Sequence, residues 1–111
     1  MSLNLETINA NDTIQNIQTT IVQTEALGFE LISLAKGIVQ GRMANVVTFH
    51  HRTPGDAPGE LTLVEVPQNN SLRDQEINVN TEEQSSSKRL ISYAAVLVNG
   101  QETMVAAYRQ I

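Results

Sequence analysis

The feature that most constrains this chain is an Asn-Gly dipeptide, Asn99-Gly100, between two apolar runs rich in β-branched residues. Asparagine and glycine both tolerate the positive φ angles that a two-residue hairpin turn requires. The sequence therefore predicts an antiparallel hairpin over residues 88–111. The turn also predicts its register, which pairs Leu97 with Glu102, Ala95 with Met104, Tyr93 with Ala106 and Ile91 with Tyr108.

This hairpin carries apolar side chains on both faces. A sheet with water on one side alternates apolar and polar residues, and here the alternation is poor. The second face must therefore be covered, either by a helix or by another subunit. We expect it to bind protein and to support self-association, through the side chains of Val96, Val98, Val105 and Ala107.

Apolar residues at three- and four-residue spacing predict one amphipathic helix near the N-terminus, over residues 12–27. Ile14, Ile17 and Ile21 fall on one face of this helix. Gly28 suits the left-handed position just after a helix end. Because β-branched and glutamine side chains have modest helix propensity, the helix is expected to depend on docking against a sheet.

The segment 29–52 fits two structures. As a helix it would continue the first one, with two internal glycines that each cost about 1 kcal/mol. As a hairpin turning at Gln40-Gly41 it uses Gly41 in the turn and pairs apolar residues on one face. We favour the hairpin, in which Ile38 pairs with Met43, Leu34 with Val47, Ile32 with Phe49 and Glu30 with His51.

The middle of the chain is punctuated by turn residues. Residues 53–59 contain two prolines and two glycines and predict a connector, after which 61–66 predicts a short strand. Residues 67–87 are so polar that they predict a long, mobile loop.

We see no internal repeat beyond the two hairpins, whose residues show no evident similarity. The predicted fold is a single α+β domain over 1–111, with one N-terminal helix packed on an antiparallel sheet of about five strands.

Composition narrows the function classes. Twelve acidic and seven basic residues give a net charge of −5, and the basic residues are scattered, which argues against a nucleic-acid partner. No cysteine is present, so the sequence offers neither disulfides nor thiolate ligands. We find no signal-peptide pattern and no apolar run of membrane-spanning length, so a cytoplasmic location without membrane association is expected.

Few residues are candidates for a catalytic or metal-binding role. Glu30 and His51 are weak candidates for an acid–base pair, because a carboxylate can orient an imidazole that titrates near neutral pH. His50 and His51 are adjacent on a strand and point to opposite faces, so they do not form a metal site. No catalytic set, metal site or cofactor site is expected.

These features favour a non-enzymatic protein-interaction or assembly module that forms homo-oligomers, of the kind found among bacterial or viral accessory proteins. The alternative is a small-ligand binder or enzyme. A helix followed by antiparallel strands resembles the cystatin-like arrangement, which implies a pocket between helix and sheet. Glu30, His51 and either Tyr93 or Tyr108 would line that pocket.

Overall fold

The computed structural model describes residues 3–53, 55, 57–67 and 69–111 of the chain. These residues form two three-stranded antiparallel sheets and two helices, so the α+β class is confirmed. The predicted single helix and five-stranded sheet were wrong in detail. The elements in chain order are β1 (Leu3–Ile8), α1 (Ile14–Glu25), β2 (Phe29–Val39), β3 (Arg42–His51), β4 (Leu61–Val66), α2 (Leu72–Ser86), β5 (Lys88–Val98) and β6 (Gln101–Gln110).

Strand β1 and helix α2 are the two elements that the sequence interpretation missed. The segment 67–87, which was expected to be a mobile loop, is mostly helix α2. Ser71 caps this helix, because its side chain accepts a hydrogen bond from the N–H of Asp74. Among the helix residues only Val79 is buried. The polar composition therefore belongs to a helix with one narrow contact face.

Both predicted hairpins are present, and both turns have the expected left-handed backbone. Gln40 and Gly41 have φ angles of 52° and 76°, and Asn99 and Gly100 have 53° and 79°. The strand assignment of residues 29–39 and the pairs of Ile38 with Met43 and Leu34 with Val47 are confirmed. Near the C-terminus, the pairs of residues 97 with 102, 95 with 104 and 93 with 106 are confirmed as well.

Farther from the turns the predicted registers were wrong by one residue. In the first hairpin Phe49 pairs with Leu31, because Ile32 is an extra residue in a β-bulge. In the second hairpin Tyr108 pairs with Leu90, because Ile91 is likewise extra. A two-residue turn determines pairing only as far as the first bulge.

The matching bulges belong to a structural repeat, so the expectation of no internal repeat was wrong. Each half of the chain has the order strand, helix, strand, strand. Each half also forms one sheet with its last strand in the centre: β1-β3-β2 is sheet 1 and β4-β6-β5 is sheet 2. We call residues 3–51 unit 1 and residues 61–110 unit 2. Equivalent residues stand 58 positions apart through the helices and 59 apart in the hairpins.

The repeat extends to individual contacts. Near the end of α1, Glu25 Oε2 accepts a hydrogen bond from the N–H of Leu31 at 2.8 Å. At the same place in unit 2, Glu83 Oε2 accepts from the N–H of Leu90 at 2.7 Å. The hairpins also share seven identical residues at this spacing: Leu31/Leu90, Ile32/Ile91, Ser33/Ser92, Ala35/Ala94, Val39/Val98, Gly41/Gly100 and Val46/Val105. We interpret the chain as a duplicated unit.

The two units are stacked, and the main core lies between them. Helix α1 and the inner face of sheet 1 pack against one face of sheet 2. Helix α2 covers part of the opposite face of sheet 2, where Val79 contacts Ala106 and Tyr108. The main core contains Ile17 and Ile21 of α1, Leu31, Leu34, Val47 and Phe49 of the inner face, and Leu61, Leu63, Val96, Val98, Val105 and Ala107 of sheet 2.

The hairpin face expected to bind a partner is therefore inside this core. Val96 and Val105 are 0% and 2% exposed, and Val98 and Ala107 are also buried. The cover that the sequence interpretation required is provided by unit 1 of the same chain. A partner surface on the folded chain must use other residues.

Candidate functional site

The predicted acid–base pair does not form. The bulge at Ile32 shifts the register, so Glu30 lies opposite His50, and His51 lies opposite Phe29. Glu30 Oε2 and His50 Nε2 are 3.9 Å apart, which is too far for a hydrogen bond, and both side chains are about one-third exposed. His51 instead packs against the Phe29 ring, with centroids 4.6 Å apart and ring planes tilted by 39°.

The residues of the predicted pocket are also dispersed. Tyr93 and Tyr108 pack on the side of sheet 2 that faces α2, whereas Glu30 and His51 belong to sheet 1. The five main cavities of the described surface do not join these two groups. Over residues 3–53, 55, 57–67 and 69–111, no cluster of three histidine or acidic side chains is placed to hold a metal ion. Within the connector, Pro54 and Asp56 lie outside the described residues.

Among the described residues, Tyr108 has a strongly raised pKa. Burial, and to a smaller extent the carboxylates of Glu82 and Glu83 on α2, raise the pKa of Tyr108 to about 12. Burial also raises the pKa of Tyr93, whose hydroxyl donates a 2.5 Å hydrogen bond to Gln75 Oε1. Both phenols are thus kept neutral beneath α2.

A tyrosine whose pKa is raised on folding stabilises the fold below its unfolded pKa of 10.0, and this contribution is lost as the pH rises to about 12. We expect the loss from Tyr108 to be about 2 kcal/mol. In Tyr108→Phe the free energy of unfolding should fall less steeply over this range. Urea unfolding of both proteins at a series of alkaline pH values measures the difference. If the free energies of unfolding of the two proteins fell in parallel with pH, the raised pKa of Tyr108 would be contradicted.

The outer face of sheet 1 is largely apolar, and none of the described helices has its main packing contacts there. Helix α1 lies on the inner face, and the main contacts of helix α2 are with β5 and β6. Leu3 and Leu5 of β1 are 56% and 65% exposed. Gly37 leaves room for Val46, whose Cγ2 would lie 2.8 Å from an added Cβ. Alternation along the strands places two sets of residues on this outer face. One set is apolar or small: Leu3, Leu5, Ala35, Gly37, Val39, Ala44 and Val46. The other set is polar: Thr7, Glu30, Ser33, Arg42, Thr48 and His50.

A groove of about 520 Å³ runs beside α2 at the other end of the stack. Leu72, the first residue of the helix, is 79% exposed at this groove. Val79 and Tyr93 form its apolar floor, and Gln75 and Glu76 stand on its rim. The α2 groove and the outer face of sheet 1 are thus two apolar surfaces on opposite ends of the stacked units.

Hydrogen bonds show how one unit holds the other. Gln18 Nε2 of α1 donates to the carbonyl of Leu61 at 2.9 Å, and its Oε1 accepts from the N–H of Leu63 at 3.2 Å. Ser92 Oγ accepts from the N–H of Leu34 at 3.2 Å and donates to its carbonyl at 3.4 Å. Unit 1 therefore binds the edge of β4 and the bulge of β5.

Two buried polar groups complete this interface. The Asn45 side chain donates to the carbonyl of Leu97 and accepts from its N–H, both at 2.8 Å. Arg109 forms a two-pronged ion pair with Glu25, with nitrogen–oxygen distances of 3.0 and 2.5 Å. Arg109 and Glu25 are only 5% and 4% exposed. These bonds specify how sheet 2 is placed on unit 1.

No protein-family model, curated protein or solved structure matches this chain. Nor is any helix of the described residues long and apolar enough to cross a membrane. The two apolar surfaces are the features of the described structure that bear on function. Sequence reasoning missed both surfaces, although an alignment of the chain with itself would have paired exposed Leu3 and Leu5 with buried Leu61 and Leu63.

Proposed function

We propose that this protein is a non-enzymatic interaction module that self-associates. The observation that carries this proposal is the uncovered apolar outer face of sheet 1, with Leu3 and Leu5 projecting from an edge strand. Apolar side chains grouped on one sheet face are typical of protein-contact surfaces, whereas single exposed leucines are ordinary. The absence of a hydrogen-bonded Glu30–His50 pair gives catalysis no comparable support.

Burial of these leucines would provide the driving force for association. Each leucine side chain transferred from water to an apolar contact contributes about 1.5–3 kcal/mol. The small residues Ala35, Gly37 and Ala44 allow a partner to approach the sheet closely. Edge strand β1 also presents unpaired backbone groups beside the leucines, which a partner side chain can satisfy.

We expect the weight-average mass of the wild type to rise with concentration between the micromolar and millimolar ranges. Leu5→Asp should weaken this self-association by about 30-fold or more, because a carboxylate would be desolvated at the contact. Sedimentation velocity measures both. Leu27→Asp is the matched control, since Leu27 is an equally replaceable leucine, 79% exposed, just after α1 and away from the outer face. A wild type that stays monomeric at millimolar concentration would refute the proposal.

A small-ligand function is the second candidate, because the α2 groove has the volume of a ligand pocket and an apolar floor. Titration with a small apolar probe tests this candidate. Changes in the NMR chemical shifts of Tyr93 and Val79 would report binding in the groove. Saturable binding to a monomeric wild type would favour this candidate over the interaction module. Competition between the probe and self-association would instead place the protein contact in the groove.

A further inference from the structure

The exposed leucines of unit 1 are the structural counterparts of buried leucines in unit 2. Leu3 and Leu5 correspond to Leu61 and Leu63, which are 2% and 8% exposed. In unit 2 these side chains are buried because the strand that carries them lies against α1 of unit 1. In unit 1 the equivalent strand has no neighbouring unit against it.

The α2 groove is the counterpart of the site that receives Leu61 and Leu63. Its exposed Leu72 corresponds to Ile14, which packs against the main core. Its floor residue Val79 corresponds to Ile21, which is fully buried. Tyr93 likewise occupies the place of Leu34. The groove is thus the docking site of the internal interface without its occupant.

We propose that the outer face of sheet 1 of one copy docks in the α2 groove of another copy, in the way that sheet 2 docks on α1 within each chain. Leu3 and Leu5 of the docking copy would lie against Leu72, Val79 and Tyr93 of the copy that provides the groove. This inference rests on the self-association proposed above and specifies its geometry. We infer that a second copy of the chain occupies the groove, because the folded chain already contains this interface once.

Polar residues on the outer face of sheet 1 and near the α2 groove correspond to residues that form hydrogen bonds at the internal interface. Ser33 of the docking copy corresponds to Ser92, whose hydroxyl binds both backbone groups of Leu34. Ser33 would bind the backbone of Tyr93 in the same way. His50 corresponds to Arg109, and Glu83 corresponds to Glu25, so a side chain that can donate a hydrogen bond again faces a carboxylate. His50 and Glu83 are both only partly buried in the single chain.

Such contacts are heterologous, because two different surfaces meet. A heterologous contact leaves one free surface of each kind at the ends of a dimer. Assembly therefore continues until the rotation between copies closes a ring, or it produces a filament. A symmetric dimer through two outer faces would stop at two chains.

Mixing two defective variants tests this geometry. Leu5→Asp damages the outer face and leaves the groove intact, and Leu72→Asp damages the groove and leaves the outer face intact. In each variant alone, the affinity of self-association should be lower by about 30-fold or more. An equimolar mixture should form a two-chain complex that grows no further, because one intact contact remains. Sedimentation velocity and native mass spectrometry measure the masses, and circular dichroism checks that each variant is folded.

Other results would distinguish a failure of head-to-tail docking from a failure of self-association itself. A wild type that associates, with Leu5→Asp monomeric and Leu72→Asp unaffected, would show symmetric pairing of outer faces and overturn the head-to-tail arrangement alone. Two monomeric variants that fail to combine, or two variants that both associate, would also overturn it. A monomeric wild type would overturn both proposals. Leu27→Asp should behave as wild type throughout.

A gain of affinity provides an independent check. In unit 1 the Gln18 amide binds both a carbonyl and an N–H on the edge of β4. Its counterpart Glu76 can only accept. Glu76→Gln should therefore tighten self-association by about fivefold, as expected for one added hydrogen bond. Glu65→Gln, which removes the same charge from an exposed strand residue, should have a smaller effect, and equal effects would count against docking in the groove.

Discussion

Replacing Arg109 with methionine is expected to lower the free energy of unfolding by about 3–5 kcal/mol, because it leaves a buried carboxylate without its cation. Arg109 donates to both oxygens of Glu25 and also to the carbonyl of Gly59 at 2.9 Å. Glu25 is 4% exposed and also accepts from the N–H of Leu31. The substitution therefore removes two hydrogen bonds between the units and a third to the connector.

Urea unfolding measures this loss, and two further variants define its cause. Glu25→Gln/Arg109→Met removes both charges, while the new side-chain amide can still accept from the N–H of Leu31. The double variant should therefore be more stable than Arg109→Met. Arg73→Met breaks the exposed pair with Glu76 and should cost less than about 1 kcal/mol. If Arg109→Met were as mild as Arg73→Met, the buried pair would not hold the units together as described.

Replacing Asn45 with leucine should lower the free energy of unfolding by about 2–4 kcal/mol. The Asn45 side chain is fully buried and satisfies both backbone groups of Leu97. Leucine has the same branching and number of side-chain heavy atoms but leaves an N–H and a carbonyl without partners, and each unsatisfied buried group costs about 1–3 kcal/mol.

Asn16 supplies the control for this substitution. It is exposed on α1, so Asn16→Leu should change stability by less than about 0.5 kcal/mol. Thermal and urea unfolding of both variants at low protein concentration separate the two effects from self-association. Equal stabilities of Asn45→Leu and wild type would mean that water or a shifted strand replaces the lost hydrogen bonds.

The parts of the fold that depend on local chemistry were predictable. The positive φ angles at Gln40-Gly41 and Asn99-Gly100 follow from the residue types, and the pairs nearest each turn follow from the turns. The bulges at Ile32 and Ile91 were not predictable in this way, because a turn determines the pairing only up to the first extra residue in a strand. The one-residue error then moved the expected partner of Glu30 from His50 to His51.

The missed elements depend on tertiary contacts. Helix α2 has only Val79 buried, so its periodic signal is weak and its polar residues resemble those of a loop. Strand β1 is short, and its apolar residues Leu3 and Leu5 remain largely exposed. The two-sided apolar hairpin was interpreted correctly as needing a cover. That the cover comes from the same chain could be seen only once the repeat was recognised.

The duplication has a genetic consequence if the two ends meet as proposed. One polypeptide then supplies both halves of the contact, so no imbalance between two gene products can arise. A chain with one damaged end still joins a growing assembly through its other end and stops it there. Such an allele would be dominant over a normal copy, and its effect would increase with its share of the mixture.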